Sequence, residues 1–573
     1  MNRKLRNSKL RFWLGAGLAG CALLVGSVLG GLWEVRTAEA SAISGMGTLT
    51  GMVDAPKPFQ AAQVYATHVE KDVVYMVYTA GGRYRAVNLF PGNYEVTVQK
   101  KGFEADVKKV TVKAGQEARV NFSLSEADAD AVRKNEYAGS RTIRGDVALV
   151  PYDELYPPGP GRATAEKTCI YCHGVNFLPG NPRNEAGWNQ ALDYMMNRNE
   201  AFGATQGASM IPPESLQPGE REALVAYLVK HFGPGTPRRA LRVDVEMPLD
   251  EEALSKAMYV EYRLANTDGM PRRRAQEPTF DHDGNVWFTE RGTPSAISRL
   301  DPRTGTITDF MNPDPKGSPH GLLVDQDGFV WWAGRDVHLG RLHPESGEMV
   351  QYPVVEKGWH GHTPVLDSKQ NIWFTMLPGN RIGKWDRATD KISLYEIPSQ
   401  RGRPYGIVID KDDKVWFAEF HGCQITRFDP VTEKFTEYPA LTQPCLIRRL
   451  GLDSKGIVWY GVFSGGKLGR LDPSTGKIVE YDLPMPFSQP YDTWPDAEDN
   501  IWITDGGQGG ALIRFNPRTE KFTYYPSPQR TDMPKVSITR DGAIWYNPRS
   551  SDRAAVGVLY PDVSKMQTLA AYF

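Results

Sequence analysis

The chain carries no excess of charge of either sign: 67 Lys and Arg stand against 68 Asp and Glu, with a pI of about 6.8. Such a balance offers no basic field to a nucleic-acid backbone, so nucleic acid is excluded as a partner. Cysteine is scarce, with five residues in 573, and Cys169 and Cys172 are followed by no second CxxC and no HxxxH. A structural zinc site would lack its second pair of ligands. Nor is the composition that of a disordered chain. What is abundant is 56 Gly, 42 Pro and 14 Trp. Many tight turns and recurring aromatic anchors are a β-rich signature. At 573 residues the chain exceeds a single core, and three or more domains are expected.

The N-terminus places Arg3, Lys4, Arg6, Lys9 and Arg11 before an apolar run from Trp13 to Trp33, then Ala38-Glu39-Ala40. A charged region, an apolar region and a small-x-small site form an export signal. The run is also long enough to cross a bilayer, so residues 1–40 are a cleaved signal peptide or a retained inner-membrane anchor. Leu18-Ala19-Gly20-Cys21 is similar to a lipoprotein box, but the apolar run continues past Cys21, which reads as an ordinary membrane residue. Either way the rest of the protein is expected in the periplasm or another extracytoplasmic space.

Residues 46–124 alternate in short runs, among them Gln63 to Thr67, Val73 to Tyr78, Tyr84 to Leu89, Tyr94 to Gln99 and Val107 to Val112. Gly81-Gly82, Pro91-Gly92 and Gly115 separate them at the spacing of a β-sandwich. The phrases Gly82-Arg-Tyr84, Leu89-Phe-Pro91-Gly92-Asn-Tyr94-Glu-Val96 and Lys101-Gly102-Phe103 resemble the carboxypeptidase regulatory-like domain. That resemblance implies a spacer or a module that binds glycan, and no chemistry of its own. Residues 125–160, charged and then rich in Pro and Gly, read as a linker.

Cys169-Ile-Tyr-Cys172-His173 has the spacing for covalent haem attachment, with two thiols for thioethers and an imidazole for iron. A thioredoxin-like pair would need a βαβ setting, which the helical surroundings do not offer. One helix is expected from Trp188 to Asn199 and another from Gly219 to Phe232, with Met210-Ile-Pro212-Pro213 between them. This order resembles class I cytochrome c domains over residues 161–240. The resemblance implies one haem c held by Cys169 and Cys172, His173 as proximal ligand and Met210 as distal ligand. Met195 and Met196 compete for the distal role, although methionine on a helix is more often core.

A period follows. Trp287, Trp331, Trp373, Trp416, Trp459, Trp502 and Trp545 are separated by 44, 42, 43, 43, 43 and 43 residues. Four short strands at this repeat predict a seven-bladed β-propeller over residues 258–573, with each Trp packed between blades. Tyr259 to Leu264 reads as a last strand that precedes the first repeat and could close the ring, with Lys565 to Phe573 as a rival. Cys423 and Cys445 are expected to form a disulfide in an oxidising compartment, independent buried thiols being the alternative. The fold class is thus mainly β: a propeller, an N-terminal sandwich and a small helical cytochrome c domain.

The position eleven before each Trp gives Gln276, His320, His362, Tyr405, Arg448, Tyr491 and Pro534. The position three after gives Glu290, Gly334, Met376, Glu419, Val462, Asp505 and Pro548. Together they read as a polar, partly acidic channel mouth. Val286-Trp287-Phe288-Thr289-Glu290 and Pro319-His320-Gly321-Leu322 resemble virginiamycin B lyase, a streptogramin-opening propeller. The resemblance implies a proton-abstracting elimination by a histidine pair and a carboxylate with magnesium. His320 and His362 match the pair, Met376 stands where the carboxylate is expected, and Glu290 and Glu419 occupy the equivalent place in other repeats. A Mg or Ca ion in the channel is expected on the same ground. His360 and His421 lie near these segments and are candidates for mere surface residues.

Three functions remain in view. The leading one is an exported haem-dependent oxidoreductase whose propeller binds a substrate, served by a redox partner protein or a small-molecule electron donor. The second is a lyase acting on a cyclic peptide or ester. The third is a non-catalytic scaffold for peptide or glycan.

Overall fold

The fold comes from a computed structural model that describes residues 43–127, 147–196, 216–335, 337–354, 359–507, 510–531, 533–549 and 553–572. Residues 1–40, Cys21 and Met210 lie outside them.

The chain is mainly β. Its N-terminal part forms two sheets around one apolar core of Leu49, Val64, Tyr75, Leu89, Tyr94, Val96 and Phe122. One sheet sets Gly47–Asp54 between Arg83–Leu89 and Glu117–Arg119. The other runs Val73–Tyr78, Gln63–His68, Gly92–Gln99, Lys108–Val112. Val73–Tyr78 is apolar at every position and buried at every position. A strand covered on both faces has no use for alternation. Its outer edge is covered as well, because it pairs with Met258–Arg263 from the repeat region. The sandwich is therefore not a detached spacer but shares a continuous eight-stranded sheet with the last repeat.

Six repeats each fold into a four-stranded antiparallel sheet, the first being Ala275–Phe280, Val286–Glu290, Ala296–Asp301 and Thr306–Met311. The seventh holds Val536–Ile538, Ile544–Tyr546 and Ala555–Tyr560, and Met258–Arg263 completes it by pairing with Ala555–Tyr560. The rival at the C-terminus is not used: Val563–Lys565 is a 3₁₀ turn, followed by irregular chain. The first strands of successive sheets pack together in order, and Ala275–Phe280 also meets Val536–Ile538, so the arrangement is propeller-like and returns on itself. The repeated Trp sits between sheets, as Trp287 does against Leu322, Val330 and Trp332 of the next. In the first six repeats an Asp six residues earlier accepts a hydrogen bond from the indole N–H, for example Asp410 from Trp416 at 2.8 Å. The same carboxylate closes the turn by accepting from the Asp412 and Lys414 amides at 2.9 Å.

Between sandwich and ring lies a helical part. Glu185–Met195 starts from Asn184, whose side chain accepts from the Gly187 amide at 2.9 Å, and packs with Glu220–Phe232 through Trp188, Leu192, Leu224 and Leu228. The stretch read as linker is partly ordered into this unit. Ala148–Val150 pairs in parallel with Arg239–Leu241, and Leu155 and Tyr156 are fully buried in the helical core. Those apolar side chains outweigh the Pro and Gly that suggested a linker.

Candidate functional site

Arg162–Ala165, Glu166–Ile170 and Tyr171–His173 run as one helical segment, with Cys169 and Cys172 about one turn apart. It stops at Gly174, whose φ of 81° is left-handed. A Cβ there would lie 2.6 Å from Gln489 Oε1, so glycine also lets the segment seat against the ring. Cys169 faces the helical core beside Trp188 and Leu178. Cys172, one turn on, packs against an apolar cluster of Tyr405, Phe420, Leu446, Phe463 and Tyr491 of the ring. Both thiols are free, and burial pushes both up to about 11. His173 stacks on Phe177, with ring centroids 4.0 Å apart.

The two halves meet around one cavity of about 350 Å³. Cys172, His173 and Phe177 line one side; His320, His362, Tyr405, Arg448 and Tyr491 line the other. Five of the residues eleven before a Trp are thus brought together. Arg448 links the halves, donating from Nη2 to the Cys172 carbonyl at 3.4 Å and from Nη1 to the Tyr405 and Tyr491 hydroxyls at 3.4 and 3.3 Å. The two hydroxyls bond each other. Burial alone would raise the Tyr491 phenol, but Arg448 and Arg549 beside it bring it down, while Tyr405 goes up through burial.

The histidines differ in what they can do. His320 and His362 lie with ring centroids 3.7 Å apart and planes tilted by 35°, and burial holds both well below the usual imidazole range, helped by Arg291 for His320. Gln276, whose Oε1 accepts from Arg291 at 2.8 Å, donates from Nε2 to His320 Nε2 at 3.0 Å. That puts the ring proton on Nδ1, which lies 3.0 Å from Glu277 Oε1 though outside hydrogen-bond geometry. Glu277 in turn pairs with Arg449. His320 is therefore held from both sides. His362 bonds Thr363 Oγ1 through Nδ1 at 2.9 Å, and its Nε2 has no protein partner among the described residues. A neutral imidazole with an available nitrogen can accept a proton. His360 also lines the cavity and is pulled down to about 4 by burial and then by Arg335. His421 stacks on Phe420 and is not part of the lining.

Glu290 and Glu419 are fully buried and face away from the cavity. Glu290 is held by Arg273 at 3.1 Å and by the Arg274 amide; burial raises it to about 7. Glu419 accepts from Thr426 at 2.6 Å and from Ser399. Asp505 is taken up by the Gln489 and Gly507 amides at 2.8 Å. The acidic mouth is thus corrected. Adjacent residues of a strand point to opposite faces, and the position three after the Trp lies on the wrong one in six of the seven repeats, Gly334 being the exception that reaches the lining. The next position lines the cavity in all seven repeats: Arg291, Arg335, Leu377, Phe420, Phe463, Gly506 and Arg549. These residues could have been found by the same repeat count shifted by one.

The described lining holds five arginines, Arg291, Arg335, Arg448, Arg530 and Arg549, and no carboxylate. Among the described residues no group of three or more His, Cys, Asp or Glu side chains is arranged to hold a metal. A Mg or Ca ion does not fit a wall of this charge. Cys423 and Cys445 are disulfide-bonded, with Cα atoms 5.3 Å apart, behind the cavity in the core between the fourth and fifth repeats.

A propeller-like ring with a cationic cavity, capped by a helical segment bearing two thiols, is the class that these features define. Residues 255–515 match the family model of the virginiamycin B lyase family, and residues 48–125 that of the carboxypeptidase regulatory-like domain. The chain carries a domain like each. Neither match extends over residues 161–240. Among solved structures the chain is similar to virginiamycin B lyase from Staphylococcus aureus, at 25% identity and a TM-score of 0.47, over 53% of this chain and 99% of that one. A streptogramin B lyase gives 27% identity and a TM-score of 0.48 over 53% and 97% of the two chains. The WD40 propeller domain of Doa1 gives 12% and 0.42 over 53% and 97%. No curated protein matches the sequence.

Proposed function

We propose that the chain is an exported redox protein in which a covalent haem site, Cys169-Ile-Tyr-Cys172-His173, faces the substrate cavity of a seven-bladed β-propeller. The observation that carries this reading is that Cys172 and His173 line the same cavity as His362, Tyr405 and Arg448. The donor set suits a c-type haem: two thiols and an imidazole on one helical segment, with aromatic rings and guanidinium groups beside them for its faces and carboxylates. Protonated thiols fit thioether attachment better than a thiolate metal site. Cys169 and Cys172 would hold the haem, His173 would be its proximal ligand and Met210 its distal one. Bound there, haem supplies one-electron transfer.

The chain's own residues do the rest. Arg448 fixes the Cys172 carbonyl to the cavity wall, Phe420 and Phe463 exclude water, and His362 Nε2 is available to take a proton from a bound substrate. The N-terminal signal would deliver the protein to the periplasm, where a partner protein or a small molecule donates or accepts the electron. Expression with a c-type maturation system, followed by reduced and oxidised visible spectra of the denatured protein, is the test. A haem band that survives denaturation and is lost in Cys172→Ala is expected; no covalent haem would sink the reading.

A second reading, elimination of a cyclic peptide or ester, is favoured by one observation. The closely packed His320–His362 pair lies in the part that matches the virginiamycin B lyase family, and His362 Nε2 has no protein partner among the described residues. Turnover of a cyclic depsipeptide that collapses in His362→Ala would support it. Full activity in that variant would exclude the base.

A further inference from the structure

Among the described residues of the cavity wall, Arg448 and Arg291 meet no carboxylate. Arg448 lies between the rings of Phe463, Tyr491 and Phe420, at 4.1, 4.5 and 4.8 Å from their centroids, and its Nε is buried without a hydrogen-bond partner. Arg291 reaches the cavity with Gln276 and Ser318 as neutral acceptors. Arg335 stands exposed at the rim. The nearby carboxylate Glu277 is taken by Arg449 and His320 and lies outside the lining. Two guanidinium groups held in a confined space with only neutral partners raise the potential there, and desolvated charge is stable only when paired. The remaining wall is aromatic and flat: Phe177, Tyr405, Phe420, Phe463 and Tyr491.

We propose that this cavity binds an organic carboxylate, a planar aromatic acid, with its carboxylate on Arg448 and Arg291 and its ring against Phe420 and Phe463. The inference names the ligand class of the substrate cavity and rests on the reading that this cavity is the substrate site, but not on the presence of haem. A guanidinium fork matches a carboxylate in geometry, and the aromatic wall rewards a flat apolar body. A volume of about 350 Å³ suits a small acid of this kind. The same chemistry has a second source, the propionates of a haem held at Cys172, so the experiment has two arms.

Benzoate is titrated calorimetrically into the full-length protein, with benzamide as its neutral counterpart. One arm uses haem-loaded protein and the other a haem-free Cys169→Ala/Cys172→Ala variant. Benzoate should bind one-to-one and about tenfold or more tighter than benzamide. Arg448→Gln should weaken it by about tenfold or more. Arg335→Gln, exposed and without consequence for folding, should weaken it by a smaller factor. Binding in both arms identifies a free carboxylate ligand; binding confined to the haem-free arm identifies propionates as the carboxylates. Equal affinity for benzamide, or benzoate affinity indifferent to both arginine variants, would overturn the proposal. Benzoate binding by a native-sequence protein that takes up no covalent haem on maturation would remove the redox reading alone, whereas haem uptake without benzoate binding in either arm would remove this one.

Discussion

Arg449→Met is the substitution whose effect follows most directly from the geometry. Arg449 is 3% exposed and pairs with Glu277, which is fully buried; buried Asp492 and partly buried Lys535 complete a group of two acids and two bases. Removing the guanidinium leaves Glu277 with the edge of His320, the Gln276 amide and the more distant charge of Lys535. A buried charge stripped of its partner costs about 3–5 kcal/mol. At about 2 °C per kcal/mol for a unit of this size, the ring's calorimetric transition should fall by about 6–10 °C. Glu277→Gln/Arg449→Met removes both charges and keeps the volume, so it should recover to within about 1–2 kcal/mol of the native protein. The coupling between the two positions, about 2–4 kcal/mol, is then read from the double-mutant cycle. If the two substitutions lower the transition additively, Glu277 and Arg449 are not a pair in the folded protein and the arrangement that holds His320 is wrong.

Register in the ring gives a functional contrast: Arg291→Gln should weaken binding of an anionic ligand in the cavity, whereas Glu290→Gln, one residue away but facing Arg273, should leave it unchanged by titration calorimetry. Asp410→Ala removes the acceptor of one indole and two amide hydrogen bonds and should cost about 3 kcal/mol, seen as a lowered thermal transition. The Cys423–Cys445 bridge closes a segment with a sequence separation of 22 residues. Its removal by Ser at both positions should cost about 3 kcal/mol by chain entropy, and a reducing agent should reproduce the loss. Burial pulls His360 and His338 down to about 4. With the folded value below the unfolded one, their contribution is complete above about pH 6.5 and is lost as pH falls towards 4, at about 1.4 kcal/mol per pH unit per proton. His360→Asn should flatten that acid limb in scans from pH 7 to about 4; an unchanged slope would remove His360 from it.

Much of this was legible because repetition makes a sequence explicit. Seven Trp at a near-constant interval fix seven sheets, and the apolar Tyr259 to Leu264 segment ahead of the first repeat announces the strand that completes the last. Counting back eleven from each Trp found His320, His362, Tyr405, Arg448 and Tyr491, because every repeat carries its first strand into the centre at the same point. Counting forward three failed, since side chains alternate along a strand and an error of one residue exchanges lining for core. The sandwich was legible as a sandwich but not as a neighbour. Nothing in Val73 to Tyr78 names Met258–Arg263 as its partner across so long a stretch of chain.

Local pattern, then, determined what the folded units are: alternating strands, a CxxCH helix and a repeat near 43 residues, each the product of spacing within a few dozen positions. The tertiary structure alone decided where they meet. Gly174 against Gln489 and Arg448 against the Cys172 carbonyl join residues hundreds of positions apart. Such contacts depend on which faces the packed cores leave turned towards each other, and no local pattern encodes that. The CxxCH motif is legible in the sequence; its place in the cavity wall is decided by packing.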